Sequence, residues 1–217
     1  MPDSLIEAAA QLSNPMDRRI YGVAPAQVIG NQDSRGQGRV QLSLPWLPGY
    51  EPWARVATPL AGDDCGIYFI PQVGDEVLVA FGQGDVRDAF VVGSLWNGRD
   101  DPPAKGLTDP VAKRIVKTPQ GHVITLDDMA RSVEVETADG QKLTLDAQKI
   151  ELDAGSGAAK ITLEAAGNIT IKATGKLELS GMTVKLDGST KAEVHSASVE
   201  VKGDSECSVT APSVRLN

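Results

Sequence analysis

Polar and apolar residues alternate through much of the second half of the chain, as in Lys149-Ile150-Glu151-Leu152-Asp153, Lys160-Ile161-Thr162-Leu163-Glu164, Asn168-Ile169-Thr170-Ile171-Lys172 and Lys176-Leu177-Glu178-Leu179-Ser180. A period of two puts successive side chains on opposite faces and predicts strands. The second apolar residue of each strand falls at Leu152, Leu163, Ile171, Leu179, Leu186, Val194, Val201, Val209 and Leu216; after a first interval of 11 the spacings are 8, 8, 7, 8, 7, 8 and 7. Units this short cannot bury their own apolar face, so the repeat predicts a solenoid-like stack. Small and turn-forming residues fill the connections, as in Asp187-Gly188-Ser189 and Lys202-Gly203-Asp204. Three looser strands near Ile124 and Leu126, Val133 and Val135, and Leu143 and Leu145 read as a neck.

The first half carries short strands broken by turn signals: Gly22 to Ile29, Gly38 to Leu44, Trp53 to Thr58, Glu76 to Phe81 and Phe90 to Leu95. Five such strands fit a small antiparallel barrel. Residues 4 to 12 predict a short helix ended by Asn14-Pro15. All nine aromatic residues lie between Tyr21 and Trp96, so the parts before and after Trp96 fill their interiors with side chains of different size. With the Pro-rich stretch after Trp96, this divides the chain into an N-terminal segment (1–20), a barrel (21–98), a linker or neck (99–118) and a strand array (119–217).

A repeat near 7.5 residues suits either a single-chain β-helix or an intertwined trimer. Twelve strands give a lone chain only about four three-sided coils, and solenoids of that size need capping elements. Wrapping three copies gives each edge strand a partner and closes a dry interior. A narrow interior also has room for aliphatic side chains and little for rings. The fold class expected is therefore all-β: a five-stranded barrel of the oligonucleotide/oligosaccharide-binding (OB) type, then a triple-stranded intertwined β-helix in a homotrimer. The expected interior positions are Ile150, Leu152, Ile161, Leu163, Ile169, Ile171, Leu177, Leu179, Val184, Leu186, Val194, Val199, Val201, Val209, Val214 and Leu216. Cys207 shares their phase and reads as a small buried filler.

A net charge of -8 opposes phosphate backbones, and the barrel holds 4 Lys plus Arg against 8 Asp plus Glu, so nucleic acid is not an expected partner. Without a basic leader or a long apolar run, the chain reads as synthesised in the cytoplasm, with neither signal peptide nor transmembrane helix. Cys65 and Cys207 read as free thiols, and no metal or cofactor is expected. His122 and His195 stand far apart, at a strand start and in an outward polar slot, and read as structural or solvated. The acidic pairs Asp63-Asp64, Asp75-Glu76, Asp100-Asp101 and Asp127-Asp128 suggest glycoside chemistry only if both carboxylates flank one bond, which adjacent strand residues do not. Trp46, Trp53 and Trp96 read as core or subunit-contact residues. The chain is expected not to be an enzyme; a monomeric β-helix acting on carbohydrate and an OB-type nucleic-acid binder are the alternatives.

The stretch Ile70-Pro71-Gln72-Val73-Gly74-Asp75-Glu76-Val77-Leu78-Val79-Ala80-Phe81, with Gly84-Asp85 and then Val91-Val92-Gly93-Ser94-Leu95-Trp96-Asn97-Gly98, resembles the spike proteins of contractile injection systems. These are the baseplate assembly protein V of phage tails and the related VgrG of type VI secretion. Gly121-His122-Val123-Ile124-Thr125-Leu126-Asp127-Asp128 resembles the neck at which such proteins enter their β-helix. The resemblance spans residues 20 to 217 and implies a homotrimeric central spike of a phage tail or tail-like particle that punctures the target cell envelope when the sheath contracts. It implies a baseplate hub protein at the barrel end. The linker is too short for the lysozyme domain some members insert, and the tail lacks the His-x-His iron-binding tip of short phage spikes. A blunt trimeric end at Val214, Leu216 and Asn217 is instead expected to dock a separate PAAR-like tip protein.

Overall fold

In a computed structural model, which describes residues 19–104 and 109–215, strands dominate and the described residues include no α-helix. The helix expected over 4–12 and the positions Leu216 and Asn217 lie outside the described residues. The chain divides into two compact units, one running to Lys117 and the other from Thr118.

In the first unit, β1 (Val23–Gly30), β2 (Val40–Ser43), β3 (Trp53–Val56), β6 (Glu76–Phe81) and β7 (Ala89–Leu95) close a barrel in the order β1-β2-β3-β7-β6. Its ladders are antiparallel except β3–β7, whose parallel pairing closes the ring. The alternation that predicts these strands also fills the barrel. On β6 the inward residues Val77, Val79 and Phe81 are buried, and they meet Ala26, Val28, Val40, Leu42, Leu44, Ala54, Ala89 and Val91. The core is thus small and almost wholly aliphatic. Trp46, Trp53 and Trp96 do not enter it, which corrects the core reading for all three. Trp46 packs edge-on against Phe81 with ring centroids 5.8 Å apart, Trp53 lies beneath the Arg39 guanidinium at 5.6 Å, and Trp96 is 69% exposed. A ring too large for the narrow interior packs at the rim instead.

One further hairpin, β4 (Ala61–Gly62) with β5 (Cys65–Gly66), projects between β3 and β6. The stretch 99–118 is not free of strands: β8 (Lys113–Lys117) forms there, from a segment whose Lys-Arg-Ile-Val-Lys sequence shows no alternation. It ends the sheet order β14-β13-β12-β11-β10-β9-β8. The other members are β9 (Val123–Asp127), β10 (Ser132–Glu136), β11 (Lys142–Leu145), β12 (Lys149–Asp153), β13 (Ala159–Glu164) and β14 (Ile169–Ala173), each antiparallel to the next from β9 to β14.

Through Ala173, therefore, successive strands of the array fold back on one another within one chain. Reversing turns explain this. Gly140, Gly155, Gly157 and Gly167 take positive φ, as do Arg131 and Ser156, and turn hydrogen bonds such as Thr137 N–H to the Gln141 carbonyl (3.0 Å) close each hairpin. Beyond Thr174 the pattern changes. The alternation continues, yet residues 175–215 form no strand pairing among the described residues of the chain.

Candidate functional site

The registers of β9 to β14 align the aliphatic residues into two straight rows. One runs Leu126, Val133, Leu145, Ile150, Leu163, Ile169; the other runs Ile124, Val135, Leu143, Leu152, Ile161, Ile171. Directly opposed aliphatic pairs stabilise a sheet. Here they also create a continuous apolar face, and that face is open: Ile150, Leu152, Ile161 and Leu163 are each 37–46% exposed, whereas Lys149, Glu151, Asp153, Lys160 and Thr162 behind them are half-buried. A face of this kind ordinarily turns inward.

The opposite face is polar and better covered. Glu151 accepts from Lys149 Nζ (2.8 Å) and from Lys160 Nζ on the next strand (3.0 Å), and Lys160 also reaches Asp153 at 3.0 Å. Lys142 meets Glu134 in the same way at 3.0 Å. The Lys149 and Lys160 ammonium groups hold the Glu151 carboxyl below its usual range, and Lys160 together with the Gly155 N–H does the same for Asp153. The two carboxylates in turn raise Lys160.

The expected interior positions of the tail show the same openness. Leu177, Leu179, Val184, Leu186, Val194, Val199, Val201, Val209 and Val214 all remain more than half exposed in the single chain. Cys207, expected as a buried filler, is exposed there as well. No backbone hydrogen bond links residues 175–215 to another segment of this chain among the described residues. Aliphatic side chains left open at this regular spacing form an exposed apolar surface of the kind that marks a contact with another chain.

The residues weighed for chemistry do not converge. His122 Nδ1 accepts the Ala138 N–H at 3.2 Å and the His122 backbone N–H donates to Thr118 Oγ1, so the residue staples two turns. His195 is exposed in the tail. Asp75 accepts the Gln72 N–H (2.8 Å), whereas its neighbour Glu76 accepts from Asn97 Nδ2 (2.9 Å), which separates that pair. Asp64 turns the β4–β5 hairpin with positive φ, and Asp127 accepts the Ala130 N–H in the turn after β9. Among the described residues no three His, Cys, Asp or Glu side chains gather to hold a metal ion.

A different carboxylate organises the barrel. Asp33 accepts from Arg39 Nη2 (2.7 Å) and Nε (3.1 Å) and from the N–H groups of Arg35, Gln37 and Arg39, tying the β1–β2 loop together. Its side chain is 4% exposed, and the Arg39 fork holds its carboxyl well below the usual range. Loop turn signals mark this segment in the sequence, but nothing in their spacing singles out Asp33.

Residues 24–96 match the family described as the type VI secretion system/phage-baseplate injector OB domain, and residues 113–217 match the phage baseplate V C-terminal trimerisation domain. Among curated relatives, the chain is 28% identical over 59% of its length to the type VI secretion system spike protein VgrG3 of Vibrio cholerae serotype O1. It is 32% identical over 48% of its length to the spike protein VgrG2a of Pseudomonas aeruginosa, and 28% over 50% to the actin cross-linking toxin VgrG1 of Vibrio cholerae. The chain spans only 10–13% of the length of these relatives.

Proposed function

The chain belongs to the phage-baseplate V and type VI secretion spike family, and from that membership we propose that three copies form the central spike of a contractile particle, with the region 119–217 as a needle that mechanically punctures the target envelope on sheath contraction. Membership supports a structural spike role in a phage tail or tail-like injection system. The observation that carries the rest is the segment 175–215, which keeps the strand alternation between its turns without a backbone partner among the described residues of its own chain. Two sister chains on a common axis would supply those hydrogen bonds and cover the aliphatic rows together. Continuous strand pairing around a packed aliphatic interior then gives the stiffness a needle needs to concentrate force.

In this reading the barrel unit faces the baseplate hub, and the end around Val214 seats a tip protein of the PAAR type. The work is mechanical, so neither catalysis nor a cofactor enters it.

Leu179→Asp tests the reading at its centre. Three buried, unpaired carboxylates per particle would block assembly, so size exclusion with light scattering should find the variant at the mass of one chain while the wild type runs at three. Contractile particles carrying the variant should also lose dye entry into target cells. A variant that forms the trimer with undiminished heat resistance, or that still permeabilises the target as a single chain, would contradict the proposal.

A further inference from the structure

The outward positions of the tail carry a regular charge pattern. Lys176 pairs with Glu178, Lys185 with Asp187 (3.2 Å), Lys191 with Glu193 (2.5 Å) and Lys202 with Glu200 (2.6 Å), one pair on each of four successive strand segments. Every pair joins residues two apart on the same segment, and all eight side chains are 64–80% exposed. Isolated pairs this exposed contribute little to stability. Their recurrence therefore calls for a role other than holding one strand straight.

The folded-back sheet supplies the precedent. Glu151 takes one lysine from its own strand, Lys149, and a second from the next strand, Lys160; Lys160 in turn reaches Asp153 across the same ladder. A lysine and an acid on one strand thus form half of a lattice whose other half comes from the strand alongside. Beyond Thr174 the same-strand half persists, and the described residues of the chain offer no strand alongside.

We propose that the Lys/acid pairs of residues 176–202 are one side of an interchain charge ladder, each pair met by the pair of the adjoining strand unit on a second copy of this chain. Its role is to fix register. Aliphatic side chains of similar size at every inward position tolerate a slip of one whole strand unit, because the same kinds of residue meet after the slip. Charges that must match from strand to strand penalise it, since like charges placed directly opposite one another destabilise the pairing. This inference rests on the trimeric reading above.

Exchanging the two charges within one pair separates the interchain role from the local one. The variant K185E/D187K keeps composition, net charge, inward residues and the same-strand pair. The ladder predicts that its trimer dissociates several degrees below the wild type at low salt, with the gap closing near 1 M salt, where the screening length falls to about 3 Å. Exchanging all four pairs together, by adding K176E/E178K, K191E/E193K and E200K/K202E, restores matching between neighbouring strands and should recover most of the loss. A single exchange with unchanged dissociation temperature overturns the proposal, as does a complete exchange no more stable than the single one. A wild-type chain that is monomeric removes the trimeric reading itself, whereas a wild-type trimer indifferent to the exchanges removes the ladder alone.

Discussion

Asp33 illustrates how one side chain can set a loop that no periodicity describes. Its carboxylate gathers three N–H groups and the Arg39 fork, and a group whose folded pKa is depressed stabilises above its unfolded pKa near 4 and loses that contribution as pH falls through the folded value. Asp85, drawn to about 2 by Arg87, follows the same sign with a smaller effect because both partners are exposed. Asp33→Asn is predicted to lower the melting temperature of the barrel at pH 7 by on the order of 5 °C. It should also flatten the fall in melting temperature between pH 5 and pH 2. Calorimetry across that range checks both, and an equally steep acid slope in the variant would remove Asp33 from the account.

Gly66 makes a second residue-scale case. Its φ is +149°, and a Cβ there would approach the Leu60 carbonyl oxygen at 2.5 Å, so Gly66→Ala forces the β4–β5 hairpin open at a cost of about 1–3 kcal/mol. Thermal unfolding of the barrel measures this directly. The requirement for glycine is invisible in the sequence, where Gly62-Asp63-Asp64-Cys65-Gly66 shows only a turn, because strands of two residues carry no period.

Among the secondary-structure elements, β6 is the most legible barrel strand because it alternates between the core and the outside along its whole length; Glu76–Phe81 is read from sequence with the bounds it adopts. What the sequence hides is the change of regime at Thr174. Alternation looks the same on both sides of it, since facing a hairpin neighbour and facing another chain impose the same period. The difference lies in the connections. Before Thr174 they are long enough to reverse the chain, as at Ala154–Ala159, whose ends are hydrogen bonded at 2.9 Å; afterwards they shorten. The backbone then bends at Met182, Ala197 and Pro212, and as two-residue bends at Thr174-Gly175, Ser189-Thr190 and Asp204-Ser205. Each series repeats every fifteen residues, so the unit of the tail is a pair of alternating segments with two kinds of turn, which explains the alternating spacings of 7 and 8. Gly188 and Gly203 confirm the equivalence: a Cβ on either would strike the carbonyl oxygen three residues on, at 2.6 and 2.3 Å. Deleting residues 183–197 is predicted to leave an assembled, shorter protein, whereas deleting eight residues puts like turns in succession and lowers its heat resistance. Gel mobility of unheated and heated samples distinguishes the two.

On the scale of the molecule, the aliphatic positions from Ile150 to Ile171 named from the repeat share one face of the paired strands, while what covers that face is not written in any single residue. Ile150, Leu179 and Val194 are exposed in one chain, and the proposed association of copies would cover them. In the proposed trimer, burial of those side chains and pairing of the backbone from 175 to 215 would be one requirement, met together as copies associate. Native mass spectrometry of the purified protein tests that requirement most directly. A single species at three times the chain mass of 22.8 kDa is predicted, persisting at submicromolar concentration. A species at 22.8 kDa under the same conditions would contradict the account.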